Sequence, residues 1–218
     1  MKIGHLASAS AARLTACAAT FVVAVLGFAQ LAAGLSADSP QTRLDLQLAL
    51  ALESQATASS LGLAQVVSFL HRPVMLLLAL GLAALWLRRR RGRWPAPSWL
   101  LVLPLGLLLN PLVKHVFHRA RPTFDHPLVH LHSYSFPSGH VEGSTVWYGL
   151  LLATVWSTTR NPFARWPAAS AAPLLVALVA WSRMALGAHY LSDVMAGACE
   201  GVAWLALWVA FAPVERAV

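Results

Sequence analysis

Charge is what this sequence has least of. Asp, Glu, Lys and Arg make up only 11% of its 218 residues, where a soluble globular domain carries about a quarter. A water-facing surface cannot be built from so few, and with 58% hydrophobic residues and a mean hydropathy of +0.62 the bilayer is the expected solvent. Cysteine is nearly missing too: Cys17 and Cys199 each lie inside an apolar run, which excludes a disulfide framework or a zinc site and leaves them as small buried hydrophobes. The eight acids are scattered, so no carboxylate cluster of the kind that holds magnesium or calcium is in view. Internal repeats, low-complexity tracts and linkers are also lacking, and residues 1–218 read as a single membrane domain.

What is present is a series of long apolar runs, at about residues 14–35, 64–87, 98–118, 141–157, 170–188 and 191–212. Against a need of about 20 residues per crossing, these predict an all-α bundle of six transmembrane helices. The first run, preceded by Lys2 and Arg13, has a second reading as a cleaved signal peptide, but it is long for one. Between Ser36 and Ser60, Asp38, Arg43, Asp45 and Glu53 are set among leucines and alanines, the pattern of an amphipathic helix at the outer interface.

The formal charge is +8, yet its placement argues against nucleic acid. Lys2, Arg13, the five arginines between Arg88 and Arg93, Arg160, Arg165 and Arg216 all fall on one side if six helices alternate. That side is the cytoplasmic one by the positive-inside rule. The expected location is therefore a cytoplasmic (inner) membrane, with the other loops on the outer, periplasmic face.

Three polar strings gather on that outer face. The first, KHVFHRARP, ends the third run and holds Lys114 and Arg121 seven residues apart, two turns along one helical face. Taken alone they could be snorkelling anchors, but cations are disfavoured on the outer side and suggest use on an anion. The second, SFPSGHVEGS, places Ser138, Gly139 and His140 where the fourth run begins. A helix start of this kind is either an ordinary serine cap or an anion site made of backbone N–H groups and a hydroxyl. The third, SRMALGAHYLSD, carries Arg183, His189 and Asp193 at the turn between the last two runs. A carboxylate four residues beyond a histidine can fix one imidazole nitrogen and leave the other free to attack; a structural hydrogen bond is the commoner use of such a pair.

Together the strings read Lys-x6-Arg-Pro, Pro-Ser-Gly-His and Ser-Arg-x5-His-x3-Asp. They match the three-part signature of the type 2 phosphatidic acid phosphatase and vanadium haloperoxidase superfamily, and the chain resembles its membrane-bound bacterial lipid phosphatases. The motif match runs from Lys114 to Asp193; the first third of the chain matches in architecture only. The resemblance implies that Lys114, Arg121 and Arg183, helped by Ser138 and Gly139, hold a phosphate. It makes His189 the nucleophile, Asp193 its orienting group and His140 the acid that protonates the leaving oxygen. It implies a lipid phosphate or diphosphate substrate: undecaprenyl diphosphate, phosphatidylglycerophosphate, phosphatidate or a lipid A phosphate. No cofactor or metal is called for, since three cations can do what magnesium does elsewhere.

A haloperoxidase holding vanadate, and a transporter or metal-binding protein built on the histidine-rich loop, are the competing classes. Membrane spans argue against the first and the intact signature against the second. His115, His118, His126, His130 and His132 read as headgroup contacts or exposed polar residues, their irregular spacing suiting zinc poorly. Arg119 reads as a neighbour facing the headgroups. Glu142 and Glu200 should face the bundle interior, Glu200 through a structural hydrogen bond.

Overall fold

Proline and small polar residues set the helix starts. The computed structural model describes residues 2–123 and 133–211, with residues 2–10 as backbone only. Its helices are α1 Lys2–Ala33, α2 Pro40–Ser54, α3 Ala58–Leu70, α4 Pro73–Arg91, α5 Pro97–Phe117, α6 Gly139–Thr158, α7 Pro162–Ala185 and α8 Leu191–Phe211. Four of these begin on proline, whose missing N–H costs nothing in a first turn. Ser39 caps α2 by accepting the Thr42 N–H at 3.0 Å, and Asn161 caps α7 by accepting that of Phe163 at 3.0 Å. α4 ends on four arginines and Gly92, whose φ of 70° is left-handed, so the cations lie at the negative end of the helix dipole.

All described secondary structure is helical. α1 from Ala11, α5, α7 and α8 are each long and apolar enough to cross a membrane, and α3 with α4 makes a fifth crossing if the pair is one span. The second run, expected as one helix, is bent by 56° at His71 and Arg72. Pro73 causes the break: the residue before a proline is pushed out of the helical region, and Arg72 sits at φ −63°, ψ 148°. α6 has 20 residues, about 30 Å, but its first turns carry His140, Glu142, Ser144 and Thr145. That polarity makes it lower in mean hydropathy than those four long helices, while its inner face is buried. The interfacial helix is shorter than expected, with α2 ending at Ser54 and α3 starting at Ala58.

The bundle wears its apolar residues outside, with Leu82, Leu112, Val116 and Leu174 about 70% exposed, as a lipid-facing surface requires. Inside, Leu76, Leu80, Trp99, Leu103, Val146 and Leu150 form a core among α4, α5 and α6. Trp204 ties α8 to α5 by donating to the Val102 carbonyl at 2.7 Å. α6 and α8 approach closely at Gly201, where an added Cβ would lie 2.7 Å from the Thr145 Cβ and 2.9 Å from the Glu142 carbonyl oxygen. Small residues allow such contacts between membrane helices.

Gly201→Ala is therefore expected to destabilise the protein by about 1–3 kcal/mol through overpacking. Gly62→Ala, with nothing within 4 Å of the new Cβ, should not. Thermal unfolding in detergent compares them, and equal midpoints would contradict the α6–α8 contact.

Candidate active site

The site is built where four chain segments meet at one end of the bundle. α5 ends at Phe117, and His118 turns the chain with a φ of 50°. The extended stretch after it and the segment 133–138 lie against the α7–α8 turn: Ser135 N–H donates to the Arg119 carbonyl at 2.8 Å, and Ser138 N–H to that of Asp193 at 2.9 Å.

Lys114 is buried and donates to the carbonyls of Tyr134 at 2.8 Å and Ser135 at 3.2 Å. Arg121 donates to the Ala188 carbonyl at 2.5 Å, the Ser133 carbonyl at 2.7 Å and the Tyr134 carbonyl at 3.1 Å. Its Nη1 also lies 3.3 Å from His189 Nε2. A guanidinium can only donate, so His189 presents the Nε2 lone pair to Arg121 and carries its proton on Nδ1, which faces Asp193 Oδ2 at 3.6 Å. Arg183 is buried and donates to Ser68 Oγ on α3. His140 lies in the electrostatic reach of both Arg183 and His189.

Buried polar atoms without a partner concentrate here. Ser138 Oγ, His140 Nε2, Arg183 Nε and His189 Nδ1 are four of the eight such atoms among the described residues. A buried unpaired donor or acceptor costs roughly 1–3 kcal/mol, and such groups need an explanation. A tetrahedral oxyanion beside the first three would supply acceptors for those that donate, while His189 Nδ1 is turned to Asp193.

Three sequence readings are sharpened or corrected. His189 lies in the turn before the helix that carries Asp193, since α8 starts at Leu191; Asp193 closes the first turn by accepting the Tyr190 N–H at 2.8 Å, as a capping carboxylate does. At 3.6 Å the pair is at ion-pair rather than hydrogen-bond distance. Ser138 is no ordinary cap, since its side chain makes no capping bond, and its N–H is taken by Asp193, so only the hydroxyl and later N–H groups of α6 can face an anion. Arg119 does not face headgroups: it donates to Asp193 Oδ1 at 2.6 Å, Ser192 Oγ at 2.7 Å and Asp45 Oδ2 at 2.8 Å, and lies over the Tyr190 ring at 4.4 Å.

Gly139 opens α6 against Asn110, whose Oδ1 would lie 2.6 Å from an added Cβ. Asn110, unnoticed in the sequence, donates to Glu200 Oε2 at 2.7 Å, the structural bond expected for Glu200. Glu142 is buried as expected, with both oxygens unpaired. His115 hydrogen-bonds the Pro111 carbonyl at 2.6 Å, and His118 meets the Tyr134 ring edge-on. His126, His130, His132 and Arg216, like the side chain of Lys2, lie outside the described residues. A buried histidine that the sequence did not flag, His71, closes α3 with Nδ1 on the Val67 carbonyl and Nε2 on the Tyr148 hydroxyl, both at 2.7 Å.

Burial lowers the His189 imidazole from its usual value to about 3, against the opposing pull of Asp193. Arg119 shows the contest the other way: burial would lower it, but Asp193 and Asp45 raise it above the ordinary value.

The PAP2 superfamily model matches residues 95–216. Over 115 residues the chain is 34% identical to phosphatidylglycerophosphatase B of Bacillus subtilis (strain 168), covering 51% of this chain and 55% of that protein. Over 136 residues it is 32% identical to the probable lipid phosphate phosphatase beta of Arabidopsis thaliana, covering 50% and 63%. It thus spans between about half and two thirds of these relatives. In three dimensions it is similar to a crystal structure described as the first transmembrane PAP2 type phosphatidylglycerolphosphate phosphatase from Bacillus subtilis. The TM-score is 0.79 at 27% identity, over 87% of this chain and 94% of that one. Aquifex aeolicus LpxE shares the fold, with a TM-score of 0.59 at 21% identity over 76% and 94%.

With its value near 3, His189 should stay neutral as pH falls through the range where an exposed histidine, at about 6.5, gains its proton. Nitrogen-15 spectra of histidine-labelled protein at about pH 5 should include a neutral ring whose signals disappear in His189→Gln. A His189 signal titrating near 6.5 would contradict its burial.

Proposed function

The chain belongs to the PAP2 superfamily, whose model covers more than half of it, and on that premise we propose that it is a multi-pass membrane phosphatase removing a terminal phosphate from a lipid phosphate or diphosphate. The observation that carries the reading is the convergence of Lys114, Arg121 and Arg183 on His189, beside His140, with the unpaired Ser138 hydroxyl on the segment that bonds Asp193. Both curated relatives are phosphatases by name, one for phosphatidylglycerophosphate and one for lipid phosphates. They support the substrate class, within which phosphatidylglycerophosphate, phosphatidate, undecaprenyl diphosphate and lipid A phosphates remain the candidates. A largely apolar groove of about 200 Å³ among α1, α5 and α8, with Phe28, Val113, Trp204 and Glu200 in its wall, offers room for a hydrocarbon chain.

In this mechanism Lys114, Arg121 and Arg183 neutralise the phosphoryl oxygens, the main task in phosphoryl transfer. His189 Nε2 attacks phosphorus as the bond to the leaving oxygen breaks, while Asp193 offsets the charge appearing on the ring. His140 gives its proton to the leaving oxygen. It then takes one from the water that attacks the phosphohistidine, so that phosphate departs and both imidazoles return to their starting states. The cations stand in for a metal, and the reaction is proposed to need none.

The test is run with EDTA present. His189→Ala should lose activity on every substrate by roughly a thousandfold or more, as removal of a nucleophile does. His140→Ala should be milder for an aryl than for an alkyl phosphate, because a good leaving group needs little protonation. The burst of phenolate and trapped phosphohistidine separate the steps. Equal burst losses for both substrates in folded His140→Ala would refute its role as the acid, and activity lost in EDTA but restored by magnesium or zinc would overturn metal independence.

The site is proposed to open on the outer face of the cytoplasmic membrane, with Arg88–Arg93 inside. Single cysteines at positions 92 and 128 report this in intact cells. An impermeant thiol reagent should label position 128 only; labelling of position 92 alone would invert the topology.

A further inference from the structure

α2 lies on the outside of the bundle with Leu44, Leu46 and Leu50 about half exposed. Its buried residues are Asp45 and Ala49. Asp45 is 1% exposed, and a carboxylate so deeply buried is costly unless its oxygens are engaged. Both are. Oδ1 accepts the Ser192 N–H at 2.9 Å, while Oδ2 accepts Arg119 Nη2 at 2.8 Å and the Ser192 hydroxyl. Arg119 then reaches Asp193 through the other arm of its fork, Nη1 to Oδ1 at 2.6 Å. The remaining oxygen, Asp193 Oδ2, takes the Tyr190 N–H and the Ser135 hydroxyl and is the one turned to His189.

We propose that Asp45 is a positioning residue for the phosphatase reaction, holding one arm of the Arg119 fork so that only the other arm binds Asp193. The proposal rests on the reading of His189 as nucleophile. The guanidinium fork matches a carboxylate in a bidentate fashion. Released from Asp45, Arg119 would take both oxygens of Asp193, including the one that faces His189. The imidazolium formed as His189 attacks would lose the charge set against it. Asp45 is far from the phosphate cradle in the network, since none of its bonds goes to Lys114, Arg121 or Arg183. Substrate binding should accordingly be spared.

The experiment uses the full chain in mixed micelles, an aryl phosphate as substrate and vanadate as a probe of the cradle. Asp45→Asn should lower kcat and the phenolate burst rate by about 10–100-fold, the range typical of groups that orient a reacting ligand from behind. KM and vanadate inhibition should change by less than about threefold. Asp45→Asn should add nothing in an Arg119→Gln background, because residues acting as a unit are not additive. A purely structural role would instead leave kcat per folded molecule unchanged and show only as a lower thermal midpoint. A folded Asp45→Asn protein with kcat within about twofold of the parent overturns the proposal. Should that variant not fold, Arg119→Lys, which cannot fork, must show the same kcat loss at constant KM; an unchanged kcat there overturns it too. His189→Ala run alongside keeps the readings apart: if it retains a burst, the nucleophile assignment fails whatever Asp45 does.

Discussion

One guanidinium, Arg119, held between the carboxylates of Asp45 and Asp193, is the contact on which the arrangement of this end of the bundle depends. Its side chain is only 10% exposed, so none of the three charges can lean on bulk water. In such surroundings a charge persists only if it is paired and its remaining donors or acceptors are filled. Removing any one member would strand the others. The network therefore fixes three distant pieces of chain at once: the interfacial helix α2, the extended segment after α5 and the first turn of α8.

The same pairing sorts the cations of the site into two kinds. Arg119 is compensated by carboxylates. Lys114 and Arg121 are held by backbone carbonyls and a serine hydroxyl, and Arg183 by the Ser68 hydroxyl. Neutral acceptors orient an ammonium or guanidinium without cancelling its charge. Four cations lie close together, but the field that an incoming phosphate would feel comes from three of them. A carboxylate bonded to Lys114 or Arg121 would offset the charge and make a poorer anion site.

How much of this was legible in the sequence follows from what is local. The three strings could be read because each is short, and because alternating spans bring their ends to one face whatever the details of helix contact. Pro73 also carries a readable break at Arg72, masked by the apolar run that continues across it. Asp45 is of another kind. It lies 74 residues from Arg119 and 147 from Ser192, within a helix whose leucines and alanines suggest only an amphipathic surface. Nothing in its neighbourhood says that this one acid points inward. Asn110 is similar, a lone amide in an apolar run whose partner Glu200 lies 90 residues away. The one available signal was thermodynamic: polar groups inside a membrane seek partners.

That signal also explains why the reading of Arg119 went wrong in a specific direction. In a string with Lys114 and Arg121, a third cation at an interface is naturally assigned to headgroups, because snorkelling costs little. A local argument weighs the cation against lipid and water only. It omits an acid supplied from elsewhere in the chain, which can hold the charge inside. Once Asp193 is buried for its part beside His189, its oxygen turned away from the imidazole also needs a donor, and the segment following α5 passes within reach. Arg119 meets that need, and its second arm creates the need for Asp45. The burial of one carboxylate thus propagates outward as a requirement for a cation and then for another acid. This series of requirements ends at α2, whose other side, with Leu44, Leu46 and Leu50, is exposed.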